Sequence, residues 1–496
     1  MRTRTPSSRN GRVPVRHLSQ KLKADPKRVI ALPFDLGAHS RVAPIFACVE
    51  AMPEAEAARA LSAVRRDFSA RHRDFEEDLR ANYISAATIM GETVGYSETK
   101  RLLLGAYFTQ EYSIQSAALF NPSIVPHPDQ SDAPPGGLRF VMSLRAVGEG
   151  HMSSTVFKTG TVLSDLQVEI DPRSTYSTRT RSVPNKEYVK SLFSRRLCEM
   201  GVDMTMANIV LDRLAEQFTM RECDDAISSA EQEHGELASL ANAVGAIEWL
   251  ARANYDLYLS DEDRIADLVL FPRSVSESKG IEDMRLVRFT EDDGTSRYYG
   301  TYTGFDGQRI LPLMMDTSSF RRLHIHTLNG AVVQNKGMAL FPRRLNGHYA
   351  MCSRIDGRNL FLMYSDHVHF WESATMLATP KYSWELRLMG NCGSPLETPE
   401  GWLLLTHGVG PMRRYCIGAM LLDLENPFEI RGRLREPLIV PLERDREGYV
   451  PNVTYSCGGL IHAGQMLLPY AVSDSATRFA AVAVNDLIAQ LLADGP

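Results

Sequence analysis

The sequence contains no run of the roughly 18 consecutive apolar residues that a membrane helix requires. Its best approach, Phe479 to Leu492, is interrupted by Asn485 and Asp486, so a soluble protein is expected. The basic, Ser/Arg-rich beginning has no apolar segment of the secretory kind, which argues against export by the general route. Cysteine is sparse: seven residues (48, 198, 223, 352, 392, 416 and 457) are scattered with no Cys-x-x-Cys pair. That pattern excludes a disulfide framework and a thiolate zinc site, and reduced thiols in a cytoplasmic protein are expected. An excess of one charge is also missing. Fifty-five Lys and Arg stand against 60 Asp and Glu, and a net charge of -5 over 496 residues gives no electrostatic drive toward nucleic acid or an anionic membrane. His324 and His326 flank Ile325 without a third ligand at metal-site spacing, so neither a metal nor an organic cofactor is expected.

What is present is ordinary globular material, 44% hydrophobic and 23% charged, enough for one large domain or two to three smaller ones. Residues 1–28 carry nine Lys or Arg against one Asp and three prolines, which predicts a flexible basic tail. From Pro53 the apolar residues recur at helical spacing (Leu61, Val64, Phe68, then Phe75, Leu79, Tyr83), and a helical N-terminal region is predicted over 29–120, with helices near 98–105 and 109–120. Short strands begin at Asn121, with Leu138 to Leu144 as one strand and a glycine-containing connector (Arg145, Glu149, His151, Ser153, Ser154) before the next. A helical insertion over about 186–257 follows, in which Asp203 is a candidate N-cap and Ala207, Val210, Leu211, Leu214 and Phe218 form one apolar stripe. Both helical regions offer surfaces through which copies of the chain could form a homo-oligomer. After Leu268 the pattern returns to aromatic-rich strands with Asp293-Gly294 and Asn346-Gly347 turns, which fits a β-propeller or a sandwich.

Everything else is arranged around Glu277-Ser-Lys-Gly-Ile-Glu-Asp-Met-Arg-Leu-Val-Arg-Phe289. Glu282 and Asp283 are adjacent in a predicted strand, so their side chains should point to opposite faces. Arg285 should share the face of Asp283 and clamp its carboxylate. On spacing alone this is a strand-edge ion pair. Gly280-Ile-Glu-Asp-Met-Arg285, however, resembles the Gly-x-Glu-Asp-Pro/Ala-Arg signature of glycoside hydrolase family 130, the mannoside phosphorylases and related β-mannosidases. Further matches follow in order: Asn335-Lys-Gly-Met-Ala-Leu-Phe-Pro342, Tyr364-Ser-Asp-His-Val-His-Phe-Trp371, Gly401-Trp-Leu-Leu-Leu-Thr-His-Gly-Val409, Ile417-Gly-Ala-Met-Leu-Leu-Asp423 and Val450-Pro-Asn-Val453.

The resemblance implies a mainly β fold, a five-bladed β-propeller catalytic domain over 121–496 with the helical segments as additions. It implies an inverting phosphorylase that cleaves a β-mannoside with inorganic phosphate as co-substrate and yields α-mannose 1-phosphate. Asp283 would be the acid, passing its proton through a sugar hydroxyl. Lys336, Arg354 and His407 would bind phosphate, a strong nucleophile that needs cations rather than a second carboxylate. Arg145 and His151 would line the sugar site, and Tyr302, Asp306 and Asp366 have suitable chemistry for the oligosaccharide. Where many family members have a lysine, this chain has Arg387-Leu-Met-Gly-Asn-Cys-Gly-Ser394, with Arg413 and Arg414 nearby as other sources of positive charge. Hydrolysis of the same linkage therefore stays open, with Glu397, Asp366 or Glu447 as the base, as does a non-catalytic glycan-binding propeller.

Overall fold

A computed structural model describes residues 12–34, 37–91, 95–172, 174, 176–179, 181–183, 187–235 and 237–496. Residues 1–11 of the expected tail and residue 186 at the start of the insertion lie outside them. The molecule is mainly β. Five larger sheets follow one another along the chain, each an antiparallel meander in its main part. The first is built on Ala118–Pro126, Leu138–Val147 and Ser153–Val162, and the second on Ile281–Thr290, Ser296–Phe305, Ile310–Thr317 and Arg322–Thr327. The third runs from Lys336–Leu340 through Tyr349–Arg354 and Leu360–Ser365 to Ala374–Ala378. The fourth contains Leu388–Asn391, Gly401–Val409, Tyr415–Leu422 and Ile430–Arg433, and the fifth Thr454–Tyr455, Gln465–Val472 and Ala476–Ala483.

The turns have the chemistry their geometry needs. Asn346 and Gly347 both take positive φ (50° and 82°), the combination that a tight hairpin turn demands and that Asn-Gly supplies with little strain. In the second sheet, Asp293 Oδ1 accepts from Thr295 N at 2.8 Å and fixes the turn before Ser296–Phe305.

Three expectations about the outer parts are corrected. The basic segment is not wholly a tail, because Arg16–Lys23 is a strand paired antiparallel with Ala476–Ala483 and completes the fifth sheet. Its charges did not forbid this, since an edge strand keeps alternate side chains in water while the neighbouring ladder satisfies its backbone. The segment near 109–120 is not helical: Thr109–Ser113 pairs with Val29–Pro33, and Ala118–Pro126 belongs to the first sheet. Its apolar residues serve two strands rather than one helix face. The stripe through Phe218 likewise outruns its helix. Met204–Leu211 is helical, with Asp203 Oδ1 accepting from Thr205 N at 2.9 Å, whereas Phe218 lies in the strand Gln217–Thr219.

Among the described residues the N-terminal helices are His39–Ala51, Glu54–Phe68, Phe75–Met90 and Glu98–Tyr107. The inserted helices are Lys190–Glu199, Met204–Leu211, Met220–His234 and Ala238–Arg252. The inserted set encloses its own core, in which Leu197, Val210, Leu211, Ile247 and Leu250 are buried. At about 1.5–3 kcal/mol for each such side chain, that core is enough to hold short helices together which would be marginal alone. No helix among the described residues is long and apolar enough to cross a membrane.

Candidate active site

The opening strand of each meander delivers a side chain to one place: Asn121, Asp283, Lys336, Asn391 and Tyr455. Asn121 Nδ2 donates to Asp283 Oδ1 at 2.7 Å. Arg285 Nη1 donates to Asn391 O and Oδ1 at 3.0 and 2.9 Å, and its Nη2 donates to the Tyr455 hydroxyl. Lys336 Nζ donates to Glu282 Oε2.

Three of these strands carry a one-residue bulge at the functional position, with register slips between Phe120 and Ser123, Glu282 and Arg285, and Lys336 and Ala339. Positive φ accompanies each: Asn121 at 50°, Asp283 at 54° and Asn335 at 61°. Asn and Asp tolerate that region better than other non-glycine residues, and a bulge re-aims the side chain beside it. This overturns simple alternation around Glu282 and Asp283. Both carboxylates reach Arg145, Glu282 Oε1 at 2.8 Å from Nη2 and Asp283 Oδ1 at 3.5 Å from Nη1, and both line one cavity. Arg285 does not clamp Asp283. The extra residue turns it inward to Asn391 and Tyr455, and it acts on Asp283 only through its charge. Gly280 is required just upstream: at φ 116° a Cβ there would lie 2.6 Å from Ser153 Oγ.

The electrostatics are those of an anion site. Glu282, Asp283, Arg285, Lys336 and Arg354 line the cavity, and Arg145 sits against its two carboxylates. Four cations thus face Glu282 and Asp283, with Asp474 as a further carboxylate in the field of Arg145, which leaves positive charge in surplus in a recessed site. Burial alone would raise the Asp283 carboxyl. The Arg145 guanidinium, the Asn121 hydrogen bond and the charges of Lys336 and Arg285 together outweigh it and hold the group below its ordinary value.

Lys336 and Arg354 face each other as partners across the third sheet's first ladder. His407 stands behind Arg354 rather than beside it as a further cation. Its Nδ1 lies 3.1 Å from Asn391 O, an acceptor only, so Nδ1 carries the proton and Nε2 accepts from Arg354 Nη1 at 3.2 Å. Burial first, then the charges of Arg354 and Arg285, hold this imidazole well below its usual range, and it is neutral.

The other candidates are engaged with neighbours of their own. Asp306 caps its own turn, accepting from Gln308 N and Arg309 N at 2.8 and 2.6 Å. Asp366 is exposed and paired with His348 Nδ1 at 2.7 Å. His151 is exposed and meets the Tyr449 hydroxyl at 3.1 Å. Tyr302 lines the cavity wall, but its hydroxyl turns to buried Glu277 at 3.3 Å. Of the three conceivable bases, Glu397 is held by Arg343, Asp366 by His348, and Glu447 is exposed; none lines the cavity. Sequence reading also missed Asn121, Asn391, Tyr455 and Asp474. Asp474 lies in the turn between the fifth sheet's long strands at φ 48°. Burial and then the Asp283 charge push its carboxyl up to about 6, against the opposing pull of Arg145 and Arg413.

Residues 261–492 match the family model described as β-1,4-mannooligosaccharide phosphorylase. A 1,2-β-oligomannan phosphorylase of Thermoanaerobacter sp. (strain X514) is 31% identical over 228 residues, covering 45% of this chain and 75% of that protein. A β-1,2-mannobiose phosphorylase of the same organism is 30% identical over 220 residues, 43% of this chain and 70% of its own length. Among solved structures, the Listeria innocua β-1,2-mannobiose phosphorylase complexed with β-1,2-mannobiose aligns with 77% of this chain and 93% of its own, at 16% identity and a TM-score of 0.45. With the Glu282-Asp283 bulge, Lys336 and His407 all inside the matched segment, this chain belongs to glycoside hydrolase family 130.

Proposed function

We propose that this enzyme is an inverting phosphorylase that cleaves a β-mannoside with inorganic phosphate and releases α-mannose 1-phosphate. The observation that carries the reading is the charge surplus around Asp283: Arg145, Arg285, Lys336 and Arg354 against Glu282 and Asp283. Such a site suits a phosphate nucleophile. Lys336 and Arg354, opposite each other on neighbouring strands, hold it, and His407 keeps the Arg354 guanidinium aimed. Phosphate oxygen attacks the anomeric carbon from the face opposite the leaving group, and the glycosidic C–O bond breaks with inversion. Asp283 gives its proton to a sugar hydroxyl, which passes its own to the departing oxygen. Without phosphate the surrounding cations keep Asp283 ionised. The incoming negative charge offsets them, so Asp283 gains its proton as the complex assembles.

The five sheets are read as five blades around this cavity, since their first strands converge on it. Seven free thiols fit a reducing cytoplasm. Hydrolysis would need a base across the sugar ring from the acid. Among the carboxylates near Asp283, Glu282 is paired with Arg145 and Lys336 rather than free to activate a water. The test is incubation with β-1,2- and β-1,4-mannobiose, with and without phosphate, followed by phosphorus NMR. α-Mannose 1-phosphate forming only in the phosphate tube is expected; equal release of free mannose in both overturns phosphorolysis.

A further inference from the structure

Away from the Asp283 cavity, the second sheet brings Asp316, His326 and His369 together with one ligand atom from each inside a 4.8 Å span. Asp316 comes from Ile310–Thr317 and His326 from the adjacent strand Arg322–Thr327. His369 comes from the segment bridged to Asn329, whose backbone N–H donates to the His369 carbonyl at 2.8 Å. His326 Nε2 is 3.0 Å from Asp316 Oδ2, and the two imidazole rings stack with centroids 4.3 Å apart. Arg297 Nη2 lies 3.4 Å from the other carboxylate oxygen, Oδ1, which fixes the carboxylate with Oδ2 toward the imidazoles. His324, the neighbour that makes this a His-x-His sequence, is engaged separately with Asp256 Oδ1 at 3.0 Å.

We infer that Asp316, His326 and His369 form a binding site for a divalent transition-metal ion, of which zinc best suits the donors. Two imidazoles and a carboxylate are the donor set of open zinc sites, and ligands about 2.1 Å from an ion stand roughly 3–3.4 Å apart. The Asp316–His326 pair is already at that separation, and the His369 nitrogen lies within 4.8 Å of both. Spacing around the His-x-His pair does not reveal such a site, because the third ligand arrives from a loop in the next sheet. His326 and His369 also border a cavity against the inserted helices, walled by Tyr188, Phe193, Arg196 and Asn254, which leaves room for a fourth ligand such as water. A bound ion would pin the His369 segment to the second sheet beneath the insertion.

The test uses the full-length protein stripped with chelator, titrated with Zn2+ against a chromophoric competitor, and assayed for bound metal after dialysis. One Zn2+ per chain is expected, with a rise in melting temperature, while His369→Ala and Asp316→Asn lower affinity at least tenfold and His324→Ala leaves it unchanged. Co2+ loaded in place of zinc should show no thiolate charge-transfer band, a readout on the unaltered chain that holds even if a variant misfolds. Absence of saturable binding, binding unaffected by His369→Ala, or a thiolate band from the cysteines would each overturn the assignment.

Discussion

Arg354 Nη1 lies 3.2 Å from Nε2 of a neutral His407, so a guanidinium in the site is positioned by an imidazole that adds no charge of its own. Removing Arg354 should cost the bond to phosphate directly. Removing His407 should cost its alignment.

Arg354→Ala is expected to raise the apparent KM for phosphate roughly ten- to a hundredfold, the worth of one charge-assisted contact, with much less change for the mannoside. Lysine should not restore it, because the fork geometry is lost. His407→Ala should raise phosphate KM in the same direction, and the double variant should be no worse than Arg354→Ala, since the two act as one unit. Additive losses would mean that His407 touches phosphate itself. The pH dependence has a definite sign. The folded-state pKa of His407 is depressed, so the unfolded chain binds the extra proton first, and this contribution to stability is present above 6.5 and lost as pH falls below it. Melting curves between pH 5 and 8 should show that slope in the wild type and a flatter one in His407→Gln.

Asp283→Asn removes the proton source of the proposed mechanism while keeping a residue that tolerates φ 54°. A drop of about 10² to 10⁴ in kcat, with a near-native circular dichroism spectrum, is expected. Retention of most activity by the folded variant would move the acid role to Glu282 or Asp474.

Asp474→Asn separates that last alternative by stability as well as rate. Its carboxyl is raised to about 6 from an ordinary 3.8, so its contribution to stability is full below 3.8 and lost as pH rises through 6. The variant should therefore melt higher than wild type at pH 8 and alike at pH 3.5, while its mannoside KM rises. An unchanged melting difference across that range would show that the group is not buried against Asp283.

Much of the site was legible because its residues sit in short contiguous signatures: Glu282 and Asp283 after Gly280, Lys336 before Leu340-Phe-Pro342, His407 within Thr406-His-Gly. Their relative orientation was not. Strand alternation predicts opposite faces for Glu282 and Asp283, and a single extra residue opposite Tyr302 cancels that rule. Asn121, Asn391, Tyr455 and Asp474 carry no chemistry that marks them in isolation, and become visible only where five strands meet. Asp306 and Asp366 show the limit of residue type: acidic residues after strands are as well suited to capping turns as to holding sugars, and here Asp306 caps its turn and Asp366 pairs with His348.

The strand Arg16–Lys23 has a temporal meaning. Arg16 pairs with Ala481 and Lys23 with Ala476, so this segment leaves the ribosome long before the strand it pairs with. Loop closure over nearly the whole chain precedes this contact, and such non-local pairing is slow. Until it forms, Ala476–Ala483 lacks its outer neighbour, next to the turn that holds Asp474. Nascent chains should therefore acquire activity late and together with this seam, and a ribosome stalled before Ala476 would carry a chain in which Arg16–Lys23 has no strand to pair with.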